Sequence, residues 1–160
     1  MLCRVPSNYT LAELLRERLN LTGTKLGCNR AECGVCTVLL DDLPVFACTS
    51  LAVEADGRSV ETIEGIGNDP VLGRLRDAFV EVDALQCGFC TPGIMMSLKP
   101  LFRAPAPVTR DQVKDAISGN YCRCGAYQNI FRAAMQAINE TSSSQGRSKE
   151  EEDGGRSMHQ

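Results

Sequence analysis

The chain has 160 residues and a net charge of −3, so its length allows one domain or two small ones. No long basic run is present, which argues against a nucleic-acid partner. The uninterrupted apolar runs are only a few residues long, too short to span a membrane. The chain shows no secretory signal, and its nine cysteines are an odd number, so reduced thiols in the cytoplasm are expected rather than disulfides.

The first half of the chain is predicted to contain one helix and a small sheet. Residues 10–19 carry an apolar stripe at helical spacing, and Thr10 with Glu13 has the pattern of a capping box. Three short apolar runs predict strands: 37–40, 45–48 and 60–63. The pair Asp41-Asp42 is a turn signal between the first two strands. This half is therefore expected to be α+β.

The pattern changes after Gly67. Four segments have the periodicity or the capping residues of helices: 70–82, 92–103, 109–118 and 127–139. Thr109 is a typical N-cap, Gly119 is a typical stop, and Pro100 is expected to end or kink the second of these helices. Four short helices with short links predict a small bundle. From residue 142 onward, Ser, Gly and charged residues predominate, and this tail is predicted to be disordered.

Eight of the nine cysteines fall into two groups of four. The first group has the spacing Cys-x4-Cys-x2-Cys, followed by a fourth cysteine on the next predicted strand: Cys28, Cys33, Cys36 and Cys48. This is the plant-type [2Fe–2S] ligand spacing, and it departs from the two close pairs that are usual for zinc. Gly27 and Gly34 are predicted to let the backbone approach the cluster and donate N–H bonds to its sulfurs.

The second group consists of two close pairs: Cys87 with Cys90, and Cys122 with Cys124. From spacing alone this set suits an iron–sulfur cluster or a zinc ion, and the first pair alone also has the spacing of a redox dithiol. The dithiol interpretation lacks the βαβ context that it requires. Each pair stands just before a predicted helix, where free N–H groups and the helix dipole stabilise thiolates. Cys3 lies outside both groups and has no predicted role.

Three segments together resemble the iron–sulfur subunit of the molybdenum hydroxylases, the family of xanthine dehydrogenase, aldehyde oxidoreductase, carbon monoxide dehydrogenase and isoquinoline oxidoreductase. They are GTKLGCNRAECGVCTVLL, ALQCGFCTPGIMM and GNYCRCGAYQNI. The resemblance extends from about Tyr9 to Ile138 and includes all eight candidate ligands. It implies an α+β chain with two domains, a β-grasp [2Fe–2S] ferredoxin-like domain (1–66) and a four-helix-bundle [2Fe–2S] domain (67–141), which the tail (142–160) follows.

The resemblance also implies a function, that of an electron-transfer subunit in a molybdopterin-dependent hydroxylase. Electrons would pass from the molybdenum centre of a large partner subunit through both [2Fe–2S] clusters. They would leave to FAD on a medium subunit or to an outside acceptor. Gln86 and Cys124 would face the pterin of the large subunit. Two alternatives stay open: a free-standing two-cluster carrier, which needs no pterin-facing Gln86, and a colourless zinc-stabilised module.

The chain departs from the family pattern in three places. The N-terminal β-hairpin is largely absent, so the sheet is expected to lack an edge. A start upstream of Met1 would restore the hairpin, and a signal there would mean a periplasmic location. Ala31 stands where Gly is usual, at a cost on the order of 1 kcal/mol if its φ is positive. Cys124-Gly125-Ala126-Tyr127 replaces the commoner Cys-Thr-Gly-Tyr, as in the bacterial aldehyde and isoquinoline oxidoreductases.

Overall fold

The computed structural model describes residues 3–104 and 107–139, and the predicted tail lies outside them. The strands are β1 (Thr37–Leu40), β2 (Leu43–Phe46) and β3 (Val60–Glu61). The helices are α1 (Leu11–Glu13), α2 (Pro70–Glu81), α3 (Thr91–Leu98), α4 (Arg110–Ile117) and α5 (127–139). Within the described ranges, no helix has the length and apolar character needed to cross a membrane.

Three helices begin where side-chain acceptors meet their first N–H groups. Thr10 accepts the Glu13 N–H while the Glu13 carboxylate accepts the Thr10 N–H, so the predicted capping box is confirmed. Thr109 and Gln112 form the same reciprocal pair before α4. The Asp69 carboxylate accepts two N–H bonds from the first turn of α2. These caps satisfy donors that a helix cannot satisfy internally.

Two of the predicted helices change their winding along their length. The helix predicted over 10–19 continues from α1 as a π-helical turn over Leu14–Arg18, so it is not a uniform α-helix. α3 ends at Leu98 and gives way to a 3-10 helix over Lys99–Arg103. Pro100 lies in that second segment, and a proline removes an N–H donor and clashes with the preceding turn of an α-helix. The expected break at Pro100 is confirmed.

The hairpin turn decides where β2 begins. Asp41 and Asp42 both have positive φ, 49° and 67°, as a two-residue turn that matches the strand twist requires. This turn pairs Leu40 directly with Leu43. β2 therefore begins two residues earlier than the strand predicted over 45–48. β3 keeps only the first two residues of its predicted strand.

β1 is the central strand of the antiparallel sheet, whose order is β2-β1-β3. Successive side chains of a strand point to opposite faces, and both faces of β1 are buried. Cys36 and Val38 pack with Leu11 of α1 in a small apolar cluster. Val35 and Leu39 join the larger core formed by the helices. The sheet half and the helical half thus share β1, against which α3 also lies.

Ion pairs also join the two halves. Lys99 is only 4% exposed, and its ammonium contacts the carboxylates of Glu61 on β3 and Asp69 before α2, the second at 2.6 Å. Arg103 pairs with Asp42 of the hairpin turn. Lys99 and Arg103 follow α3 in the helical half, whereas Glu61 and Asp42 belong to the sheet half. The ion pairs of Lys99 with Glu61 and of Arg103 with Asp42 therefore join the two halves.

We expect Lys99→Met to destabilise the cluster-loaded protein by about 1–3 kcal/mol, because two carboxylates lose their cation while the side-chain volume is kept. The control is Lys114→Met, which removes an exposed pair with Asp111 and should change stability by less than about 0.5 kcal/mol. The chain has no Trp, so urea unfolding is followed by far-ultraviolet circular dichroism. Equal effects of the two substitutions would contradict a role for Lys99 in joining the halves.

Candidate iron–sulfur centres

The structure brings the four cysteines of the first group together. Cys28 and Cys33 lie on the loop before β1, Cys36 adjoins β1, and Cys48 follows β2. In space they form two neighbouring pairs, Cys28 with Cys33 and Cys36 with Cys48, in which the second thiol affects the pKa of the first. Cys36 also lies near enough to Cys33 for their charges to interact. The four candidate ligands of the first group are therefore neighbours in space.

Backbone N–H groups of the same loop point at the sulfurs. The N–H groups of Glu32 and Cys33 donate to Cys28 Sγ at 3.3 and 3.4 Å. The Ala31 N–H donates to Cys48 Sγ at 3.4 Å. Such bonds stabilise thiolate, and hydrogen bonds to sulfur are one means by which proteins tune iron–sulfur clusters.

The second group is also brought together, on the loops before α3 and α5. Cys87 lies beside Cys124, and Cys90 lies beside Cys122. Each pair in space therefore combines one thiol from the loop before α3 with one thiol from the loop before α5. Cys90 is the N-cap residue of α3, and Cys124 comes three residues before α5. The expectation that both pairs precede helix N-termini is confirmed.

The thiols of each group need a cation to ionise together. Burial raises the pKa of Cys36 and of Cys90 to about 12. The pKa of Cys28, which is less buried, shifts in the opposite direction. Backbone N–H hydrogen bonds, of which the bond from Arg30 has the largest effect, lower it to about 7. Neighbouring buried thiolates repel each other, and a metal ion among them reverses that penalty. The donor sets therefore fit a group that carries positively charged iron.

A cleft of about 280 Å³ lies between the two groups. Cys28 and Cys33 line it from one side, and Cys87 and Cys90 line it from the other. Two neighbouring pairs of thiols in each group fit a two-iron cluster, because four cysteines are shared between its two irons.

Gly27 and Gly34 have different surroundings. A Cβ at Gly27 would lie 3.1 Å from Cys33 Sγ, so glycine lets the loop pass a candidate ligand sulfur. Gly34 has a φ of 65°, and a Cβ there would lie 2.3 Å from the carbonyl oxygen of Gly119 in the helical half. The approach of Gly34 to a cluster stays a prediction. Its contact with the segment that leads to Cys122 was missed by the sequence analysis.

Large side chains are exposed around the second group. Gln86 and Cys87 are both exposed. Phe89 and Tyr121, at 46% and 51% exposed, stand close to the cysteines in sequence, and Leu85 is exposed as well. Phe89 and Tyr121 also line the same cleft, and exposed apolar patches often mark an interaction site. The sequence analysis singled out Gln86 but missed the aromatic residues, although both stand inside the cysteine motifs; that Gln86 and Cys124 face a pterin stays a prediction.

Two protein-family models match consecutive parts of the chain: a 2Fe-2S iron-sulfur cluster binding domain over residues 3–62 and a [2Fe-2S] binding domain over residues 62–135. The fold and the two thiol sets thus define a protein with two [2Fe–2S]-binding domains. The small subunit of nicotine 6-hydroxylase from Paenarthrobacter nicotinovorans is 46% identical over 133 residues, which cover 83% of this chain and 80% of that subunit.

Two solved structures have the same fold. Quinoline 2-oxidoreductase from Pseudomonas putida 86 matches with a TM-score of 0.78 and 44% identity, over 87% of this chain and 86% of that one. Aldehyde oxidoreductase from Desulfovibrio gigas matches with a TM-score of 0.82 and 36% identity, over 90% of this chain but 16% of that one. The chain belongs to the family of small iron–sulfur subunits of molybdenum hydroxylases, and the resemblance inferred from its motifs is confirmed.

Ala31 has a φ of 59°, so the position does adopt the left-handed conformation. For a residue with a Cβ, this conformation costs the folded state about 1–2 kcal/mol. Replacing Ala with Gly also makes the unfolded chain more flexible, which offsets about 0.4–1 kcal/mol of that gain. We therefore expect Ala31→Gly to stabilise the first [2Fe–2S] domain by roughly 1 kcal/mol. The measurement is the thermal loss of visible cluster absorbance.

Asn29→Gly is the matched control for Ala31→Gly. Asn29 lies on the same loop with a φ of 54°, and Asn tolerates the left-handed region better than Ala does. Asn29→Gly should therefore not increase the stability of the first [2Fe–2S] domain. An equal gain at both positions would show that backbone strain at Ala31 is not the cause.

Proposed function

We propose that this chain is the electron-transfer subunit of a molybdopterin-dependent hydroxylase. The observation that carries the proposal is that eight thiols are gathered into two sets of four, and that two thiols of each set line one shared cleft. One cluster would be held by the first set: Cys28, Cys33, Cys36 and Cys48. The other would be held by the second set: Cys87, Cys90, Cys122 and Cys124. The free-standing carrier is not supported, since the relatives are subunits of larger enzymes.

A bound [2Fe–2S] cluster supplies one-electron chemistry, with a potential that depends on burial and on hydrogen bonds to sulfur. The chain's own contribution is to hold the thiolates and to control their surroundings. In each set two thiols are buried and two are more accessible. The buried ones are Cys36, Cys48, Cys90 and Cys122. Water is thereby kept from the inner end of each site while the outer end stays open to a partner.

The two sites are joined by a direct backbone hydrogen bond. The N–H of Tyr121 donates to the carbonyl oxygen of Cys33 at 2.9 Å. Tyr121 is bonded to Cys122, so this contact links a candidate ligand of the first set to the residue next to a ligand of the second. Electrons tunnel more readily through bonded groups than across gaps. The contact therefore supports exchange of electrons between the two sites.

We further infer that the large molybdopterin-binding subunit docks over the second site. The exposed Leu85, Phe89 and Tyr121 beside Cys87 support this inference, because buried apolar anchors are typical of interface centres. Gln86 and Cys124 would then face the pterin. FAD on a medium subunit, or an outside acceptor, would take electrons from the first site. Relatives whose names describe a small subunit and a complex subunit beta support assembly with larger partners.

We also propose the finer architecture that the family resemblance implies. Residues 1–66 would form a β-grasp ferredoxin-like domain, supported by the antiparallel sheet and the packing of α1 on one face of β1. Residues 67–141 would form a four-helix bundle of α2, α3, α4 and α5. Side chains from all four helices lie in one apolar core, which supports this layout.

The purified chain is expected to contain about four irons and four acid-labile sulfides, and to give two distinct paramagnetic signals when reduced. Cys33→Ser and Cys122→Ser should each remove one cluster and about half of the iron, because a thiolate ligand is lost. The control is Cys3→Ser, which lies outside both sets and should keep all the iron. Stoichiometric zinc in the wild-type chain, or full iron content in Cys122→Ser, would contradict the ligand assignment.

Gln86→Ala should slow reduction of the clusters by substrate in the assembled enzyme. The reason is that a pterin group buried at the interface would lose its amide partner, at a cost of about 1–3 kcal/mol. Reduction by dithionite should stay fast, and both clusters should form. Gln128→Ala, an exposed glutamine of α5, is the control. Rapid-mixing absorbance measures the rates, and an unchanged rate with substrate would refute the pterin-facing role.

A further inference from the structure

The loop of the first thiol set is bonded to the segment that carries the second set. The Tyr121 N–H donates to the Cys33 carbonyl oxygen at 2.9 Å. One residue earlier, the side-chain amide of Asn120 donates to the Gly34 carbonyl oxygen at 2.8 Å. Two consecutive residues of one segment, 120 and 121, thus bond to two consecutive residues of the other, 33 and 34. The two hydrogen bonds together fix the register of the segments.

Asn120 is unusual in being buried. Asn is mostly a surface residue, whereas Asn120 is only 5% exposed and its bond to Gly34 lies in a buried contact. The bond spans 86 positions of sequence and crosses between the two halves. A buried polar side chain is kept only where its hydrogen bonds are made. Asn120 is therefore held by its bond across the boundary between the halves.

The same residue is tied to a ligand of the second set. The hydroxyl oxygen of Tyr127 accepts the N–H of Cys122 at 2.8 Å and donates to the carbonyl oxygen of Asn120 at 3.3 Å. Asn120 thus connects the backbone at Cys122 with the backbone of Gly34, the residue after Cys33. The amide of Asn120 and the hydroxyl group of Tyr127 therefore form a hydrogen-bonded path from Cys122, a candidate ligand of the second site, to the residue after Cys33, a candidate ligand of the first.

The fit around this path leaves little freedom to shift. A Cβ at Gly34 would lie 2.3 Å from the carbonyl oxygen of Gly119 and 3.0 Å from the Cα of Asn120. A Cβ at Gly93 of α3 would lie 2.4 Å from the carbonyl oxygen of Gly34. Main chain packs on main chain here, so hydrogen bonds rather than interlocking side chains decide the register of the two segments.

We propose that Asn120 is a positioning residue that sets the separation and relative orientation of the two [2Fe–2S] sites, and through them the rate of electron exchange. The inference rests on the proposed function. In the exchange, one site is oxidised by one electron and the other is reduced by it, and no bond forms or breaks. Asn120 acts through the backbones of Gly34 and Cys122 and is not itself a ligand.

The test is Asn120→Asp in the full-length chain assembled with its partner subunits. Aspartate has the same size, but its carboxylate cannot donate to the Gly34 carbonyl oxygen and is repelled by it. With both clusters reduced by dithionite, the magnetic coupling that splits their signals should change, and electron exchange between the sites should slow severalfold. Iron content should stay at the wild-type value, since no ligand is altered.

Asn129→Asp is the matched control. The amide of Asn129 also donates to a backbone carbonyl oxygen, that of Asp83 at 3.1 Å, but the bond lies within the helical half. The same chemical change there should leave coupling and exchange at wild-type values. Lys99→Met is the second control, because it lowers stability without touching the ligand segments. A merely structural Asn120 would match Lys99→Met, with lower stability and unchanged coupling.

The outcomes separate this proposal from the proposed function. Altered coupling in Asn120→Asp, together with normal coupling in both controls, supports the positioning role. Wild-type coupling in Asn120→Asp overturns it, whereas a wild-type chain without two clusters overturns the proposed function instead. If Asn120→Asp does not retain both clusters, Tyr127→Phe is used, since it removes only the hydroxyl between Asn120 and Cys122. It should change the coupling in the same sense, and an unchanged splitting again overturns the proposal.

Discussion

The structure depends on a backbone-to-backbone contact between the loop of the first thiol set and the helical half. Gly34 meets the carbonyl oxygen of Gly119, and Gly93 meets the carbonyl oxygen of Gly34, in both cases too closely for a Cβ. Glycine is the residue that permits such an approach. The approach brings Cys33 within a hydrogen bond of Tyr121. The two [2Fe–2S]-binding domains are therefore joined at their ligand segments.

This joining gives each site a dry inner end and a more accessible outer end. Cys36, which adjoins β1, lies in the apolar cluster with α1, and Cys90 lies in the helical core. The cleft between the sites is open, but β1 contributes to both cores, so water is excluded from the buried end of each site. In such surroundings a hydrogen bond to sulfur acts in a lower dielectric and has a stronger effect. Cys28 and Cys87, at the outer ends, are the thiols that an electron donor or acceptor could approach.

Much of the local structure could be predicted from the sequence because its signals are local. Thr10 and Thr109 cap the helices they were expected to cap, and the strand over 37–40 has its predicted bounds. The start of β2 was wrong, because apolar residues alone do not reveal the positive φ of the preceding turn. Lys99 reads as an ordinary helix residue, since its carboxylate partners lie far away in the sequence. The π-helical turn over Leu14–Arg18 left no signal in the pattern.

The candidate ligands could be predicted, but the residues beside them could not be assigned correctly one motif at a time. Considered alone, Gly34 belongs to a cluster-binding loop and Asn120 to a helix end. In the folded chain they bond to each other, because the ligand loops of the two domains form the boundary between them. Electron exchange requires the two sites to be close, and closeness requires residues that let main chains meet. The same short motifs must therefore supply the thiols and also the glycines and amide that bring the two sets together.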